Sequence, residues 1–347
     1  MTRPQLSLVI PVFNEEATLP ELERRLKLFL SALPRIGDAW EVVFVDDGSK
    51  DASRRLLLEM TGRERRFKLI GFSRNFGHQV AITAGMDRAE GDAVVVMDAD
   101  LQDPPEVVTE MLERFASGFD VVYAVRNKRK GETWFKLVTA SAFYRLLRKV
   151  TGIQIPLDAG DFRLMSRSVI LTLRALRERH RFVRGMVAWV GFRQTAVHYD
   201  RDPRFAGETK YPLRKMLQFA IDGITSFSVL PLRIATWLGI TAGIMAVGLG
   251  VWAVTVKITG GGTVPGWTTI MLAVALGSSA QLLMTGVLGE YVGRIYQEIK
   301  RRPLYIVEKE TNFIDLGTSE PNPVPPRPEP SSEIGAPVLS DPNNAQF

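Results

Sequence analysis

The sequence of 347 residues contains no cysteine and only three histidines. The absence of cysteine excludes a disulfide framework, a thiolate metal site and a cysteine nucleophile, and it fits a reducing compartment. His180 and His198 have no partner at the spacing of metal ligands, and His78 lies in the NFGH turn, so a catalytic histidine is not expected. A signal peptide is not expected either, because the short apolar run in MTRPQLSLVIPVFNEE is followed at once by acidic residues.

The charge balance is modestly basic, with 44 Lys and Arg against 38 Asp and Glu and a formal net charge of +6. Such an excess fits an anionic partner, for example nucleic acid, a lipid surface or a phosphorylated substrate. An excess of this size is also common on inert surfaces, so charge alone does not choose among these partners.

Short apolar runs alternate with amphipathic stretches from residue 5 to about residue 125. LSLVIPVF, EVVFVDD, FKLIGFS, DAVVVMD and DVVYAVR have the composition of strands, and the stretches between them have the length of helices. The pattern predicts an α/β fold with a mostly parallel sheet and helices on both faces. Ligands of such sheets bind beyond the carboxyl ends of strands, where NEE, DDGS and DADLQD fall, so we expect three acidic clusters at one edge.

Two stretches without charged residues, 234–256 and 268–289, are each long enough to cross a bilayer. The short segment KITGGGTVPGW joins them, so the pair is interpreted as a membrane hairpin; a buried hairpin of a soluble protein is the alternative. Basic residues flank the pair at Arg233 and within 294–302, against Lys257 between the helices, and the positive-inside rule places both termini in the cytoplasm. This predicts a multi-pass protein of the cell inner (cytoplasmic) membrane.

The sequence therefore divides into seven segments. They are a cytoplasmic catalytic domain (1–212), amphipathic juxtamembrane helices (213–233), membrane helices (234–256 and 268–290), a short outer loop (257–267), a cytoplasmic extension (291–315) and a disordered Pro-rich tail (316–347). For the juxtamembrane segment a core helix would show a similar pattern. The small residues in GITAGIMAVGLG leave a homo-oligomer through the membrane helices open.

The stretch DADLQDPPE concentrates acidic side chains at the end of a predicted strand. Asp98 and Asp100 can present oxygen ligands to one hard divalent cation, and Gln102 adds a carbonyl oxygen. Asp103 and Glu106 flank two prolines where a helix begins, so we expect them to cap that helix. Phosphohydrolases also carry a D-x-D pair, and the pair alone does not identify the chemistry.

Two earlier strand ends offer further polar groups. Asp47 is expected to serve a ligand, for example a ribose or a base edge, and Asp46 to form an Asx-turn before the next helix. In PVFNEE, Glu15 is expected near a nucleotide, Asn14 is a candidate helix cap, and Glu16 is expected to face solvent.

Six motifs occur in an order and spacing that resemble a known family: VIPVFNEE, VDDGSKD, SRNFGHQVAITAGM, DADLQDPPE, GDFRLMSR and GETKYPLRKM. The sequence resembles the family 2 glycosyltransferases that act on polyprenyl phosphates, the group of dolichol-phosphate mannose synthase and the bacterial polyprenyl-phosphate glucosyltransferases. The resemblance covers roughly residues 5–305 and includes the two-helix membrane hairpin of the bacterial branch. It implies a GT-A nucleotide-diphospho-sugar transferase fold and a divalent metal, Mg²⁺ or Mn²⁺. It also implies transfer of one sugar, with inversion, from a donor of the UDP-glucose or GDP-mannose type to a membrane polyprenyl phosphate, and no nucleic-acid partner.

The resemblance also implies roles for individual residues. The donor-binding positions are Pro11, Phe13, Glu15, Asp47, Asp98 and Ala99, and the metal ligands are Asp98, Asp100 and Gln102. Arg204 and Lys210 match the basic pair that grips the phosphates, and Arg126, with Lys136 and Ser141, resembles an acceptor-phosphate contact. Asp161 matches the catalytic position that faces the acceptor, and Asp158 matches it less firmly. The other basic residues of RNKRK and RERHRFVR are interpreted mostly as solvated or lipid-surface charges.

Three alternatives remain open at this point. A processive synthase would carry a Q-x-x-R-W element and more spans, whereas RFVRGM stands in that region here. A non-catalytic membrane module that keeps the nucleotide-sugar fold would be favoured by loss of the D-x-D or GETK elements, and both are intact. A Mg²⁺-dependent phosphohydrolase would need a nucleophilic Asp at the first strand, where the chain has PVFNEE.

Overall fold

The computed structural model of the chain describes residues 3–33, 36–127, 159–179, 181–200, 230–259 and 266–313. The strands are β1 (Leu6–Val12), β2 (Trp40–Asp46), β3 (Phe67–Phe72), β4 (Ala93–Val96), β5 (Val121–Arg126), β6 (Ala159–Ser166), β7 (Gln194–Tyr199) and β8 (Val307–Thr311). The helices are α1 (Leu19–Ser31), α2 (Ser53–Arg63), α3 (His78–Arg88), α4 (Val107–Ala116), α5 (Arg167–Ala175), α6 (Val183–Trp189), α7 (Leu230–Ile258) and α8 (Trp267–Ile299).

All of these strands belong to one sheet, in the order β7-β5-β6-β4-β1-β2-β3-β8. Strand β1 pairs in parallel with β2 and β4, β2 with β3, and β5 with β7. Strand β6 runs antiparallel to β4 and β5, and β8 runs antiparallel to β3. The predicted α/β fold is confirmed, although the sheet is mixed rather than mostly parallel. Because β1, β2 and β4 are parallel neighbours, the loops that follow them meet at one edge, as the sequence predicted.

Both faces of the sheet are covered by helices, which explains the nearly continuous apolar runs of the strands. Along β1, Leu8 and Ile10 pack against α1, α2 and α4, whereas Val9 packs against α3, α5 and α6 on the other face. Helix α3 lies especially close to the sheet, since a Cβ at Gly85 would fall 2.2 Å from Cγ1 of Val9. This close approach packs the last turn of α3 directly on β1 and β2.

Helices α7 and α8 contain the two segments predicted to cross the membrane. Within the described residues, one stretch, Leu232–Trp252 of α7, is long and apolar enough by length and composition to cross a membrane, with a mean hydropathy of 1.8. Its large apolar side chains, including Trp237 and Ile244, are exposed. The second predicted span remains a prediction. The predictions for 213–229, 260–265 and 316–347 lie outside the described residues.

After α8 the chain returns to the sheet and adds β8 to the edge strand β3. Tyr305 stacks on Phe72 with a centroid separation of 5.2 Å, and its hydroxyl donates to Oδ2 of Asp87 at 2.9 Å. An ion pair of 2.5 Å joins Glu308 of β8 to Arg54 of α2. Part of the segment predicted as a cytoplasmic extension is therefore an edge strand of the sheet.

Candidate active site

The loops after β1 and β2 are tied together by direct hydrogen bonds. The backbone N–H of Asn14 donates to Oγ of Ser49 at 3.0 Å, and Oδ1 of Asn14 accepts from the N–H of Lys50 at 2.8 Å. Asn14 has a φ of 56°, a conformation that asparagine tolerates better than most residues. Asn14 therefore joins two loops and is not the cap of α1, which begins after Thr18. Glu16 similarly accepts from the N–H of Ala52 at the start of α2 at 2.9 Å, so it does more than face solvent.

Asp46 is structural, as expected, although its bond is not an Asx-turn: Oδ1 accepts from the N–H of Ser49, three residues on, at 3.0 Å, and Oδ2 accepts from Nε of Arg54 at 2.5 Å. Its neighbour Asp47 is buried, and its carboxylate accepts from the N–H groups of Phe76 at 2.6 Å and Gly77 at 3.0 Å. Burial raises the pKa of Asp47, although the two amide donors oppose the shift. Asp47 thus fixes the loop that leads into α3.

Gly48 permits this loop to come close to β2. Its φ of 71° is left-handed, and a Cβ at this position would lie 2.5 Å from the carbonyl carbon of Arg74. Any side chain would therefore clash with backbone and strain its own conformation.

The predicted nucleoside-binding residues of the first strand stand at the same edge. Pro11 is buried in β1, paired in register with Val45. Phe13 follows the strand and is 43% exposed, so its ring is available to stack on a planar ligand. Glu15 accepts from Oγ1 of Thr18 at 2.7 Å through its side chain, and its backbone N–H donates to Oγ of Ser53 at 2.8 Å.

Asp98 and Asp100 follow β4, and Ala99 between them is buried. Oδ1 of Asp98 is buried and has no hydrogen-bond partner among the described residues. Burial raises the pKa of Asp98 to about 6, with His78 opposing the shift. A buried carboxylate oxygen without a donor is the arrangement that a cation would stabilise.

The chain bends sharply within this acidic stretch. Leu101 has a φ of 59°, a strained value for a residue with a γ-branched side chain, and the N–H of Gln102 returns to Oδ1 of Asp100 at 3.2 Å. Within the described part of the chain, no group of three or more His, Cys, Asp and Glu side chains is arranged to hold a metal alone. Two carboxylates and an amide carbonyl nevertheless fit a Mg²⁺ or Mn²⁺ ion that takes its other ligands from water and a diphosphate.

Asp161 lies on β6 at the centre of a cluster of donors. Arg184 of α6 forms a bidentate pair with it, Nε to Oδ1 at 2.8 Å and Nη2 to Oδ2 at 3.0 Å. Nε2 of Gln79 donates to Oδ2 at 3.3 Å, and Nε2 of His78 lies 3.3 Å from the same oxygen. Burial alone would raise the pKa of Asp161, but Arg184 and His78 hold it well below its usual range.

His78 joins the two acidic centres. Its Nε2 atom lies 3.5 Å from Oδ1 of Asp98 and 3.3 Å from Oδ2 of Asp161. Burial works to lower the pKa of His78, but Asp161 and Asp98 outweigh it and raise the pKa. The sequence assigned no role to this residue, and its only signal is its place at the start of a helix that follows a glycine-containing turn.

Arg126, the predicted acceptor-phosphate residue, is the last residue of β5 and lies beside Gly160, the neighbour of Asp161. A Cβ at Gly160 would fall 3.3 Å from Nη2 of Arg126. Arg163, two residues beyond Asp161, is buried, and burial lowers its pKa to about 10 while Asp161 opposes the shift. Arg126, Arg163 and Arg184 therefore form a cationic side of the site around Gly160 and Asp161.

Two sequence-based interpretations are wrong here. Asp103 does not simply cap α4, because it is buried and accepts a hydrogen bond from the hydroxyl of Tyr199. Glu106 stands at the start of α4 with helical backbone angles and makes no side-chain capping bond. Arg184 is an exception within RERHRFVR, whose basic residues were interpreted mostly as surface charges, because the structure pairs it with Asp161. Spacing alone could not reveal these contacts, since each joins residues far apart in the chain.

The remaining predicted site residues, Lys136, Ser141, Asp158, Arg204 and Lys210, lie outside the described residues. Their roles stay as the resemblance implied them.

Comparison with known proteins identifies the family. Residues 7–174 match the model of glycosyl transferase family 2. An uncharacterized glycosyltransferase of Bacillus subtilis, YkcC, is 53% identical over 88% of this chain and 94% of its own length. Another uncharacterized glycosyltransferase, sll0501 of Synechocystis, is 45% identical over 87% of this chain and 94% of its own length. The SfII prophage-derived bactoprenol glucosyl transferase of Shigella flexneri is 39% identical over 88% of this chain and 98% of its own length. The chain belongs to glycosyl transferase family 2, in the group that includes the bactoprenol glucosyl transferases, and its mixed sheet flanked by helices is a GT-A fold.

Proposed function

We propose that the protein transfers one sugar, with inversion, from a nucleotide-diphospho-sugar to the phosphate of a membrane polyprenyl phosphate. The observation that carries this proposal is that an acidic side and a cationic side lie at one sheet edge, joined through His78. Asp98 and Asp100 form the acidic side, and Arg126 and Arg184 lie with Asp161 on the cationic side. The bactoprenol glucosyl transferases that resemble the chain over nearly their full length support the choice of acceptor.

The donor is assigned to the edge formed by β1, β2 and β4. Pro11 and the exposed ring of Phe13 would face the base, and Glu15 and Asp47 would bound the nucleoside pocket. Asp98, Asp100 and Gln102 would hold a divalent cation, Mg²⁺ or Mn²⁺, which when bound neutralises charge on a nucleotide diphosphate, and Ala99 would lie beside the donor. The orphaned oxygen of Asp98 supports this assignment.

Asp161 is assigned an orienting role in catalysis. A phosphate acceptor is already anionic near neutral pH, so attack on the sugar needs little general-base help. A carboxylate that accepts from Arg184, Gln79 and His78 and has a strongly lowered pKa is a weak base. Asp161 instead holds Arg184 in place, so that its charge acts on phosphate groups in the site.

The acceptor phosphate is assigned to Arg126, with Lys136 and Ser141, and the GETK element supplies Arg204 and Lys210 from outside the described residues. We infer that α7 and the second apolar segment, 268–290, anchor the protein in the cytoplasmic membrane with both termini on the cytoplasmic side. The exposed apolar side chains of α7 support one crossing. Basic residues at Lys300 and beyond support the orientation.

A transfer assay tests the proposal. The purified full chain receives undecaprenyl phosphate in detergent, Mg²⁺ or Mn²⁺, and labelled UDP-glucose, GDP-mannose or UDP-N-acetylglucosamine in turn. We expect metal-dependent label in the lipid phase that Asp100→Asn abolishes. Asp38→Asn, at an exposed residue paired with Arg66, serves as the control and should transfer normally. Nucleotide binding without lipid label for any donor would instead favour a non-catalytic module.

A further inference from the structure

Two buried polar residues next to the cationic side, Asp103 and Tyr199, have no part in the proposed reaction so far. Their side chains belong to residues that are only 1% and 5% exposed. The hydroxyl of Tyr199 donates a short hydrogen bond to Oδ1 of Asp103. Tyr199 ends β7 and is paired in register with Arg126, which ends β5. The strand pairing therefore places this hydroxyl beside the Arg126 side chain.

Arg126 is held by the same hydroxyl. Its Nε–H donates to Oη of Tyr199 at 3.3 Å, and this is the one hydrogen bond of its side chain within the described residues. The far end of the guanidinium lies against Gly160, which leaves space for it because glycine has no Cβ. Phe162 packs edge-on against the ring of Tyr199, with centroids 5.8 Å apart, and restricts the ring. The guanidinium is therefore held at Nε, with Nη2 beside Gly160.

The direction of the hydrogen bonds follows from the chemistry of the three groups. A tyrosine hydroxyl has one hydrogen to donate, and a carboxylate can only accept. Asp103 therefore takes that hydrogen and leaves the oxygen lone pairs for Arg126. Without the carboxylate, the hydroxyl hydrogen could turn toward the guanidinium, and the hydroxyl would no longer be a reliable acceptor. The anionic partner also polarises the hydroxyl and strengthens the bond from Arg126.

We propose that Asp103 and Tyr199 are positioning residues, which orient the Arg126 guanidinium so that it receives the phosphate of the lipid acceptor. The proposal rests on the acceptor role assigned to Arg126 in the proposed function. It assigns the orientation of Arg126 to a relay across three elements: the loop after β4, the end of β7 and the end of β5.

A double-mutant cycle with a binding readout tests the relay. Farnesyl phosphate serves as the acceptor probe for the detergent-solubilised full chain, and UDP or GDP serves as the donor-side probe. We expect Tyr199→Phe to weaken farnesyl phosphate binding about tenfold, the loss typical of one hydrogen bond that orients a charged group, with nucleotide binding unchanged. In an Arg126→Ala background, Tyr199→Phe should change farnesyl phosphate binding less than twofold, because the relay then has nothing to orient.

Two further variants separate positioning from folding. Asp103→Asn keeps a hydrogen-bond acceptor for the Tyr199 hydroxyl but removes the negative charge. It should therefore weaken farnesyl phosphate binding, but less than Tyr199→Phe does. Tyr305→Phe is the matched control, because Tyr305 also donates to a carboxylate, Asp87, but at the opposite edge of the sheet. Each variant is compared after its melting temperature shows that it is folded.

The proposal would be overturned if folded Tyr199→Phe bound farnesyl phosphate with wild-type affinity. It would also be overturned if Tyr199→Phe reduced that affinity by the same factor in the wild-type and the Arg126→Ala backgrounds. If the wild-type protein bound farnesyl phosphate but transferred no sugar, the proposed function would be refuted. The double-mutant cycle would still test whether Asp103 and Tyr199 position Arg126, because its readout is binding. A wild-type protein that binds no farnesyl phosphate would refute both.

Discussion

Removal of the Arg184 side chain should destabilise the fold as well as the reaction, because Arg184 is the bidentate partner of a buried carboxylate. Asp161 is only 6% exposed, and Arg184 donates to both of its oxygens, at 2.8 and 3.0 Å. In Arg184→Ala, Asp161 keeps its contacts with Gln79 and His78 but loses both hydrogen bonds from the guanidinium group. Breaking one side of a buried ion pair costs about 3–5 kcal/mol, and the 27% exposure of the Arg184 side chain shifts the expectation downward, to about 2–4 kcal/mol.

Thermal unfolding of the full chain in detergent measures this loss. A loss of stability of that size corresponds to a drop in melting temperature of roughly 5–12 °C for a domain of about 200 residues. Arg184→Lys should fall between wild type and Arg184→Ala, because lysine keeps the charge but not the planar fork. Sugar transfer by Arg184→Ala should also fall by at least about a hundredfold if the oriented charge acts on the departing diphosphate.

The exposed pair of Arg24 with Glu21 on α1 is the matched control. Arg24 also donates twice to one carboxylate, at 2.7 and 2.6 Å, but on the solvent face of the helix. Arg24→Ala should therefore leave both melting temperature and transfer nearly unchanged. If Arg184→Ala had the same melting temperature and the same rate of sugar transfer as Arg24→Ala, the reasoning that Asp161 depends on its bidentate pair with Arg184 would be refuted.

Three further predictions concern other parts of the molecule. Asp98→Asn removes a half-buried carboxylate whose pKa is raised to about 6, so the metal-free protein should melt no lower than wild type at pH 8, yet gain nothing on addition of Mn²⁺; an undiminished Mn²⁺-induced shift would contradict the assigned ligand. Gly48→Ala should destabilise by more than about 2 kcal/mol in thermal unfolding, because its Cβ would meet the backbone of Arg74; a wild-type melting temperature would show that the loop moves without cost. A chain ending at Lys300, which lacks β8, should melt lower and be cleaved faster by protease near β3 than one ending at 315; equal cleavage would show that β8 does not protect that edge.

Local sequence patterns were sufficient to predict the fold class and the edge that holds the site. Alternating apolar runs and amphipathic helices predict helices on both faces of a sheet, and acidic residues after β1, β2 and β4 must meet once those strands are parallel neighbours. The antiparallel strands β6 and β8 were not predicted, because strand direction depends on the path of long connections rather than on the composition of the strand. The strand β8 was missed for the further reason that IVEKET is short and charged, as an edge strand often is.

The sequence by itself determined which side chains are candidates for the site: carboxylates and an amide near Asp98 that could bind a hard cation and, through the family resemblance, Arg126 as a candidate for phosphate. The tertiary structure decided which of these groups act together. Arg184 and His78 meet at Asp161, and Asp103 turns away from its expected helix toward Tyr199. Periodicity and spacing report the neighbours of a residue along the chain, whereas a buried ion pair or a hydroxyl relay depends on side chains brought together from separate strands and helices. Only the tertiary structure therefore shows whether a charged side chain orients another residue or is exposed to solvent.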